Sequence, residues 1–192
     1  MEIPNGARIF IIEGIAGAGK STFHTQLEKK LGAKKVLHFF EDELLFSLKH
    51  AWIPGIAILR LEFFKCLLEY CEQKLQEDQE IVFIFERFHL SLAILAWAVN
   101  HELPQGYDEL IHRLKKLPVH LFIPTLDPAE IGQRALHPER ADKLWETHLQ
   151  KRLHARNYAS LQEMYTAEQQ LVLQLAASQG IPYTTIQVAR EQ

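Results

Sequence analysis

A glycine-rich segment near the start of the chain has the residue types and spacing of a phosphate-binding loop. The run 14–21, GIAGAGKS, matches the pattern G-x-x-x-x-G-K-S/T in full. Such a loop turns backbone N–H groups toward an anion, and a helix beginning near Lys20 adds its positive N-terminal end. Lys20 is expected to reach the β- and γ-phosphates, and the Ser21 hydroxyl is expected to bind Mg²⁺. The segment therefore predicts a nucleoside triphosphate site formed by Gly14, Ala16, Gly17, Ala18, Gly19, Lys20, Ser21 and Thr22.

A carboxylate at the end of an apolar run is the second chemical feature. The run 81–85, IVFIF, is typical of a strand buried on both faces, and Glu86 and Arg87 follow it. A buried charge there is costly unless it has a partner or a function. We expect Glu86 to hold a metal-bound water or to accept a proton from a substrate hydroxyl. Arg87 would bind a phosphate or steady the acceptor, and the alternative is a structural pair of Glu86 with Arg87. His89 and Ser91 are expected to be helix-start residues.

The elements that would position these residues alternate along the chain. Strands are predicted at 8–12, 36–40, 81–85, 119–123 and 183–188, with Pro124 ending the fourth. Helices are predicted at 20–31, 43–50, 54–79, 90–101, 107–116, 127–135 and 140–179, the last either continuous or broken near Asn157. This alternation predicts an α/β fold with a five-stranded, mostly parallel sheet covered on both faces. Ligands of such sheets bind beyond the carboxyl ends of the strands, where both motifs lie.

Length and composition indicate one globular domain. The chain has 192 residues, 47% of them hydrophobic, and a net charge of −3, so residues 1–192 are expected to form one domain. The acidic balance argues against a protein held to nucleic acid by bulk charge. We expect no signal peptide and no membrane span, and therefore a cytoplasmic setting. Cys66 and Cys71 have neither redox nor zinc spacing and are expected to act as small hydrophobic residues.

At the two motifs the sequence resembles the P-loop nucleoside and nucleotide kinases, which include the deoxynucleoside kinases and thymidylate kinase. The run 10–22 looks like the start of these proteins, and the run 83–87 with Ser91 is similar to the Glu-Arg-Ser element of deoxynucleoside kinases. In that element the glutamate is held to be the base that deprotonates the acceptor hydroxyl. Thymidylate kinases carry an Asp-Arg-Tyr element there, so Glu86 favours the nucleoside branch. The resemblance implies a P-loop NTPase fold with the phosphate-loop strand central, a helical lid, ATP and Mg²⁺ as the donor system, and a homodimer.

The sequence departs from the deoxynucleoside kinases around the expected acceptor. Phe88 stands where they have a small serine after Glu-Arg. The run 40–43, FEDE, lacks the proline of their acidic-proline element, and the run 61–64 has no counterpart of their base-reading glutamine. These differences concern the acceptor rather than the donor.

A helical lid is expected after the fourth strand, over about residues 127–142. In kinases of the resembled class, lid arginines approach the transferring phosphoryl group, whose spread charge suits planar guanidinium donors. Arg134 and Arg140 are the candidates, and Arg152 is a third. The alternative is a solvated helical surface, because the segment is rich in charges of both signs.

The acceptor is expected between the loop after the second strand and the long helix that follows it. Glu41 is the candidate ligand of a sugar hydroxyl, and Arg60 would bind a monophosphate, as an arginine does in thymidylate kinases. The alternatives are a helix N-terminal charge for Glu41 and a surface position for Arg60. Aromatic candidates for stacking on a flat base, each with a core position as the alternative, are Phe46, Trp52 and Phe63. His24 is expected at the surface.

These features favour an ATP-dependent phosphotransferase acting on a nucleoside or nucleoside monophosphate. A P-loop kinase of another hydroxyl compound, such as a sugar, antibiotic or cofactor precursor, is the alternative. A GTP-dependent switch would need N-K-x-D and D-x-x-G elements, which the sequence lacks. A motor ATPase on nucleic acid is disfavoured by the short chain and its acidic balance.

Overall fold

Five parallel strands form one sheet in the order β2-β3-β1-β4-β5. The structure is a computed structural model that describes residues 2–32, 34–44, 53–100, 102–135 and 143–188. The strands are β1 (Ile9–Ile12), β2 (Lys35–Phe39), β3 (Ile81–Glu86), β4 (Val119–Thr125) and β5 (Tyr183–Gln187). The predicted five-stranded parallel sheet is confirmed, and the strand before the phosphate loop is central.

Helices cover both faces of this sheet, as the alternation predicted. They are α1 (Lys20–Leu31), α2 (Glu41–Leu44), α3 (Ile56–Glu77), α4 (His89–Asn100), α5 (Tyr107–Leu114), α6 (Pro128–Ala135), α7 (Lys143–Arg156) and α8 (Leu161–Gln179). On one face, α1 packs against β1, β3 and β4. On the other face, residues of α3, α4, α5 and α8 form the largest apolar cluster with the same strands. A third cluster joins the β1–α1 loop to α6, α7 and α8.

The register of the central strands places the two chemical motifs at one edge. Ile12, the last residue of β1, lies opposite Glu86 of β3 and Phe122 of β4. The loop after β1 and the loop after β3 therefore begin side by side at the carboxyl edge of the sheet. This is the edge at which parallel α/β sheets bind their ligands.

Some helices and strands begin or end at residues other than those predicted, for local reasons. The long helix begins at Ile56 rather than at Pro54, because Gly55 takes a left-handed φ of 81° just before it. Helix α7 ends at Arg156 and Asn157 has a φ of 54°, which confirms the break. Pro124 does not end β4, which continues to Thr125. Its missing N–H costs little there because β1 ends opposite Phe122, before it reaches Pro124.

The remaining sequence expectations about the fold have mixed outcomes. Residue 127, where a helix was predicted to begin, precedes α6 and caps it, because the Asp127 Oδ1 accepts from the Ala129 N–H at 2.8 Å. Burial raises the pKa of the Cys71 thiol to about 12, in keeping with a small hydrophobic residue. Cys66 is exposed, so the expectation that it acts as a small hydrophobic residue is wrong.

Among the described residues, no helix is both long and apolar enough to cross a membrane. Residues 45–50 of the predicted helix 43–50 lie outside the described ranges.

Candidate functional site

The loop between β1 and α1 has a backbone that favours glycine at its two ends. Gly19 has a left-handed φ of 74° directly before α1. A Cβ at Gly14 would lie 2.8 Å from the Pro124 carbonyl oxygen, so no larger residue fits there. Within the loop, the Lys20 ammonium donates to the Ile15 carbonyl at 3.1 Å and is buried. A buried cation beside a helix N-terminus fits a chain of phosphates.

Glu86 reaches the phosphate loop through a direct hydrogen bond. The Ser21 hydroxyl donates to Oε1 of Glu86 at 3.0 Å, and Glu86 is only 6% exposed. Neighbouring oxygen ligands of an octahedral Mg²⁺ are also about 3 Å apart, so this pair of oxygens fits the ion. No cluster of three or more His, Cys, Asp or Glu residues in the described ranges could hold a metal by itself.

The electrostatic surroundings keep Glu86 ionised. Burial alone would raise the pKa of its carboxyl group. His24, Lys20 and the Ser21 hydroxyl together outweigh burial, so that the pKa lies below its ordinary value. Glu86 is therefore a carboxylate at neutral pH and can act as a ligand or as a proton acceptor.

His24 is buried, and the expectation that it lies at the surface is wrong. It is 3% exposed because this face of α1 packs over the edge strand β2 and the residue after it. Its ring stacks on those of His38 and Phe40, with centroids 4.9 and 5.0 Å away. Sequence reasoning placed His24 at the surface and missed the aromatic neighbours that β2 and the residue after it supply.

Arg87 pairs with Glu41 and not with Glu86. Its Nε lies 2.6 Å from Oε2 of Glu41, the first residue of α2, so the alternative pairing of Glu86 with Arg87 is wrong. Burial alone would lower the pKa of Arg87, but the charge and hydrogen bond of Glu41, with smaller contributions from Glu13 and Tyr165, together outweigh burial and raise it. Arg87 has a φ of 65°, which is strained for a residue with a side chain and is often found at functional sites. The pair lies at the edge where the acceptor was expected.

Glu13 is a buried carboxylate that the sequence reasoning did not single out. Its Oε1 accepts from the backbone N–H groups of Phe88, Leu90 and Ser91 at 2.8, 2.9 and 3.3 Å. Its Oε2 accepts from the Ser91 hydroxyl at 2.5 Å. Glu13 thus caps the start of α4 and ties the beginning of the phosphate loop to the loop that carries Arg87. The signal was present, because Glu13 follows a fully buried strand just as Glu86 ends one.

Replacing Glu13 with alanine is expected to lower the free energy of unfolding by about 3 kcal/mol, since four buried donors lose their acceptor. Glu13→Gln is the matched control. Its amide oxygen can still accept from the three N–H groups, and its amide N–H can donate to Ser91. Denaturant unfolding of the three proteins at neutral pH measures the difference. Equal stability of Glu13→Ala and wild type would contradict this role for Glu13.

Wild type and Glu13→Gln together also test the pKa of the Glu13 carboxyl group. Burial raises the pKa of Glu13 above 4.5, and its hydrogen bonds offset only part of that shift. The folded state therefore favours the protonated form, and this contribution to stability is lost as the pH rises through the folded-state pKa. Relative to Glu13→Gln, wild type should lose stability on going from pH 4 to pH 8. Parallel stability profiles of the two proteins would count against the raised pKa.

The two helix-start residues after Glu86 lie where the sequence placed them. His89 is the first residue of α4, and its Nε2 lies 3.0 Å from the Gln179 side-chain oxygen. Burial lowers the pKa of His89 to about 4, so it is neutral at neutral pH.

Phe88, which departs from the resembled kinases, is fully buried and stacks on Phe64 with ring centroids 4.1 Å apart. A large side chain at position 88 therefore fills core rather than acceptor space.

The acceptor candidates are only partly described. Arg60 is 1% exposed on α3, so its alternative as a surface residue is wrong, and burial lowers its pKa to about 10. Phe63, 36% exposed, is not a core residue. Phe46 and Trp52 lie outside the described residues. Stacking of Phe63 on a base and binding of a phosphate by Arg60 stay predictions.

The three candidate lid arginines lie in different settings. Arg134 lies on α6, with its Nε 3.6 Å from Oε2 of Glu130 one turn earlier. Arg140, like the rest of 136–142, is outside the described ranges. Arg152 is buried on α7, where it hydrogen-bonds Glu168 of α8 and lies 5.9 Å from the Tyr165 ring. The Arg152–Glu168 pair joins α7 to α8, and a lid role for Arg152 stays a prediction.

Comparison with solved structures decides the fold. The YorR protein from Bacillus subtilis, solved with phosphorylated GDP, matches with a TM-score of 0.57 at 17% identity, covering 93% of this chain and 85% of its own. Thymidylate kinase from Candida albicans matches with a TM-score of 0.56 at 19% identity, covering 96% of this chain and 85% of its own. The chain has the P-loop nucleotide kinase fold. In this kinase fold, the loop 13–19 and Glu86 occupy the carboxyl edge of the sheet. No protein-family model and no curated protein matches the sequence.

Proposed function

We propose that the protein is an ATP-dependent phosphotransferase that phosphorylates a nucleoside or a nucleoside monophosphate. The observation that carries the proposal is the 3.0 Å hydrogen bond from Ser21 to Glu86. It brings the helix that follows the phosphate loop into contact with the strand-end carboxylate. A site that only stores nucleotide needs the loop, but it has no need of an ionised carboxylate beside it.

The donor half of the reaction depends on the β1–α1 loop. Lys20 exchanges its contact with the Ile15 carbonyl for the β- and γ-phosphate oxygens. Ser21, with Glu86 beside it, would hold Mg²⁺, which when bound would neutralise charge on those oxygens. The N-terminus of α1 adds its partial positive charge to the same group.

The acceptor half depends on Glu86. The acceptor oxygen forms a bond to the γ-phosphorus while the bond from that phosphorus to the bridging oxygen breaks, and the bond pair leaves with ADP. Glu86, ionised because of its lowered pKa, takes the proton of an attacking hydroxyl. A monophosphate acceptor attacks through an oxygen that is already ionised, and Glu86 then serves only the metal site.

Acceptor recognition is assigned to the side of the site formed by α2, α3 and the loop after β3. Glu41 and Arg87, joined at 2.6 Å, would bind the acceptor sugar and steady it. Arg60 would supply positive charge for an acceptor phosphate, and Phe46, Trp52 and Phe63 would flank the base. Arg134 and Arg140 would approach the transferring group from the lid. The homodimer and the cytoplasmic location stay predictions.

The proposal is tested by ADP release from MgATP in a coupled assay against a panel of deoxynucleosides, ribonucleosides and their monophosphates. Turnover above the acceptor-free rate with at least one member is expected. A nucleoside acceptor would allow Glu86 and Glu41 to be tested against it, and a monophosphate acceptor would shift the emphasis to Arg60. An acceptor-free rate with every member, from protein that still binds ATP, would contradict the proposal.

A further inference from the structure

A string of side chains runs from Glu86 through the interior to the protein surface. Nδ1 of His24 lies 3.9 Å from Oε2 of Glu86. Nε2 of His24 lies 2.6 Å from Nδ1 of His38 on β2. Nε2 of His38 lies 3.3 Å from Oε1 of Glu28, which is exposed on α1. None of these contacts is explained by phosphate binding, and the mechanism above gives the buried His24 no part beyond lowering the pKa of Glu86.

The geometry places one partner on each oxygen of the Glu86 carboxylate. Ser21 donates to Oε1, and His24 faces Oε2. Ser21 and His24 are three residues apart on α1 and therefore project from the same face of the helix. The Ser21 hydrogen bond holds Oε1, whereas Nδ1 of His24 faces Oε2 from beyond hydrogen-bond distance and is a buried atom with no hydrogen-bond partner among the described residues.

The imidazole of His24 is itself held in place. His38 and Phe40 stack against its ring, and His38 contacts its Nε2. Because a carboxylate only accepts hydrogen bonds, the arrangement that suits Glu86 puts the His24 proton on Nδ1 and leaves Nε2 to accept from His38. His38 then donates through Nδ1 to His24, and its Nε2 lies beside Glu28.

We propose that His24 is a positioning residue for Glu86: its Nδ1–H, fixed by His38 and Phe40, orients the carboxylate toward the reacting acceptor. This inference rests on the proposed phosphotransferase function. Its effect would appear in kcat, because a small displacement of a reacting group is costly in the transition state. The KM for ATP should change little, because His24 lies behind Glu86 and is not part of the loop 13–19.

Three substitutions at His24 separate positioning from packing. In His24→Asn the side-chain amide nitrogen can occupy the place of Nδ1 and still face Glu86. In His24→Gln the amide reaches the place of Nε2 and keeps only the contact with His38. His24→Phe keeps the stacked ring and loses both contacts. We expect His24→Gln and His24→Phe to lose about 10- to 100-fold in kcat, and His24→Asn to retain most of it.

Two results would overturn the proposal. One is a folded His24→Phe protein, judged by its melting midpoint, with wild-type kcat. The other is a His24→Asn protein as impaired as His24→Gln, because the position of the donor would then be irrelevant. If wild type transfers no phosphate to any acceptor, the proposed function fails instead, and the kinetic comparison among variants cannot be made.

A measurement without substrate keeps the two failures distinguishable. Ring-nitrogen NMR of the nucleotide-free protein, with labelled histidine and the His24 signal assigned by its loss in His24→Asn, reports which nitrogen carries hydrogen. The proposal expects hydrogen on Nδ1. Hydrogen on Nε2 alone would overturn it whether or not the protein is a kinase, because Nδ1 could not then donate to Glu86.

Discussion

Replacing Lys20 with alanine should lower kcat by about 10³-fold, the largest loss expected from a single substitution in the phosphate loop. Lys20 is the buried cation of the loop, and its ammonium is held only 3.1 Å from the Ile15 carbonyl. Its charge would stabilise the negative charge that develops between the β- and γ-phosphates. Steady-state kinetics with the acceptor found in the nucleoside panel measures the loss.

The matched control for this substitution is Lys29→Ala. Lys29 is exposed in the last turn of the same helix and leaves the loop untouched. We expect its kcat to equal that of wild type and the melting midpoints of both variants to stay close to it. A Lys20→Ala protein that keeps more than about a tenth of the wild-type kcat would show that the loop does not hold the transferring group.

Replacing Glu86 with glutamine is expected to lower kcat for a hydroxyl acceptor by about 10²- to 10³-fold. The amide oxygen can still accept the Ser21 hydrogen bond, so the fold and the loop should be kept. The variant loses the negative charge and the ability to take the acceptor proton. The KM for ATP should change far less than kcat, and the two constants are measured together.

Glu80→Gln serves as the control for this variant. Glu80 is an exposed carboxylate in the turn directly before the same strand, and its removal should leave kcat unchanged. Near-wild-type turnover of Glu86→Gln on a hydroxyl acceptor would rule out Glu86 as the base. A large loss in Glu80→Gln would show that the effect arises from general changes in β3.

The donor half of the site was predictable from the sequence because its residues are contiguous. The local sequence of the run 14–21 determines the shape of the loop. Its glycines permit the turn, and a lysine and a serine follow on the first turn of a helix. The strand runs around it are fully buried, so their apolar continuity is readable in the sequence. The same reasoning found Glu86, because burying a carboxylate at the end of such a run costs free energy unless the group has a partner or a function.

The rest of the site depends on contacts between residues that are distant in the chain. Glu13 caps residues 75 to 78 positions away, and the local sequence gives no sign of that pairing. In the sequence His24 is only a polar residue on a helix, because its contact with His38 forms when β2 packs beside α1 in the fold. For Arg87 the sequence offered pairing with its neighbour Glu86 only as the alternative to binding a phosphate or the acceptor, and it gave no sign that Arg87, with its left-handed backbone, would pair with Glu41.

Transfer of the γ-phosphoryl group to a nucleoside or nucleoside monophosphate is tested most directly with ATP labelled at the γ-phosphate. Wild type and Lys20→Ala are incubated with Mg²⁺, labelled ATP and a mixture of nucleosides and nucleoside monophosphates, and the labelled products are separated and identified. We expect wild type to place the label on one nucleoside or monophosphate, and Lys20→Ala to place almost none. Label released only as inorganic phosphate, or retained in ATP by a protein that binds it, would contradict a phosphotransferase of this substrate class.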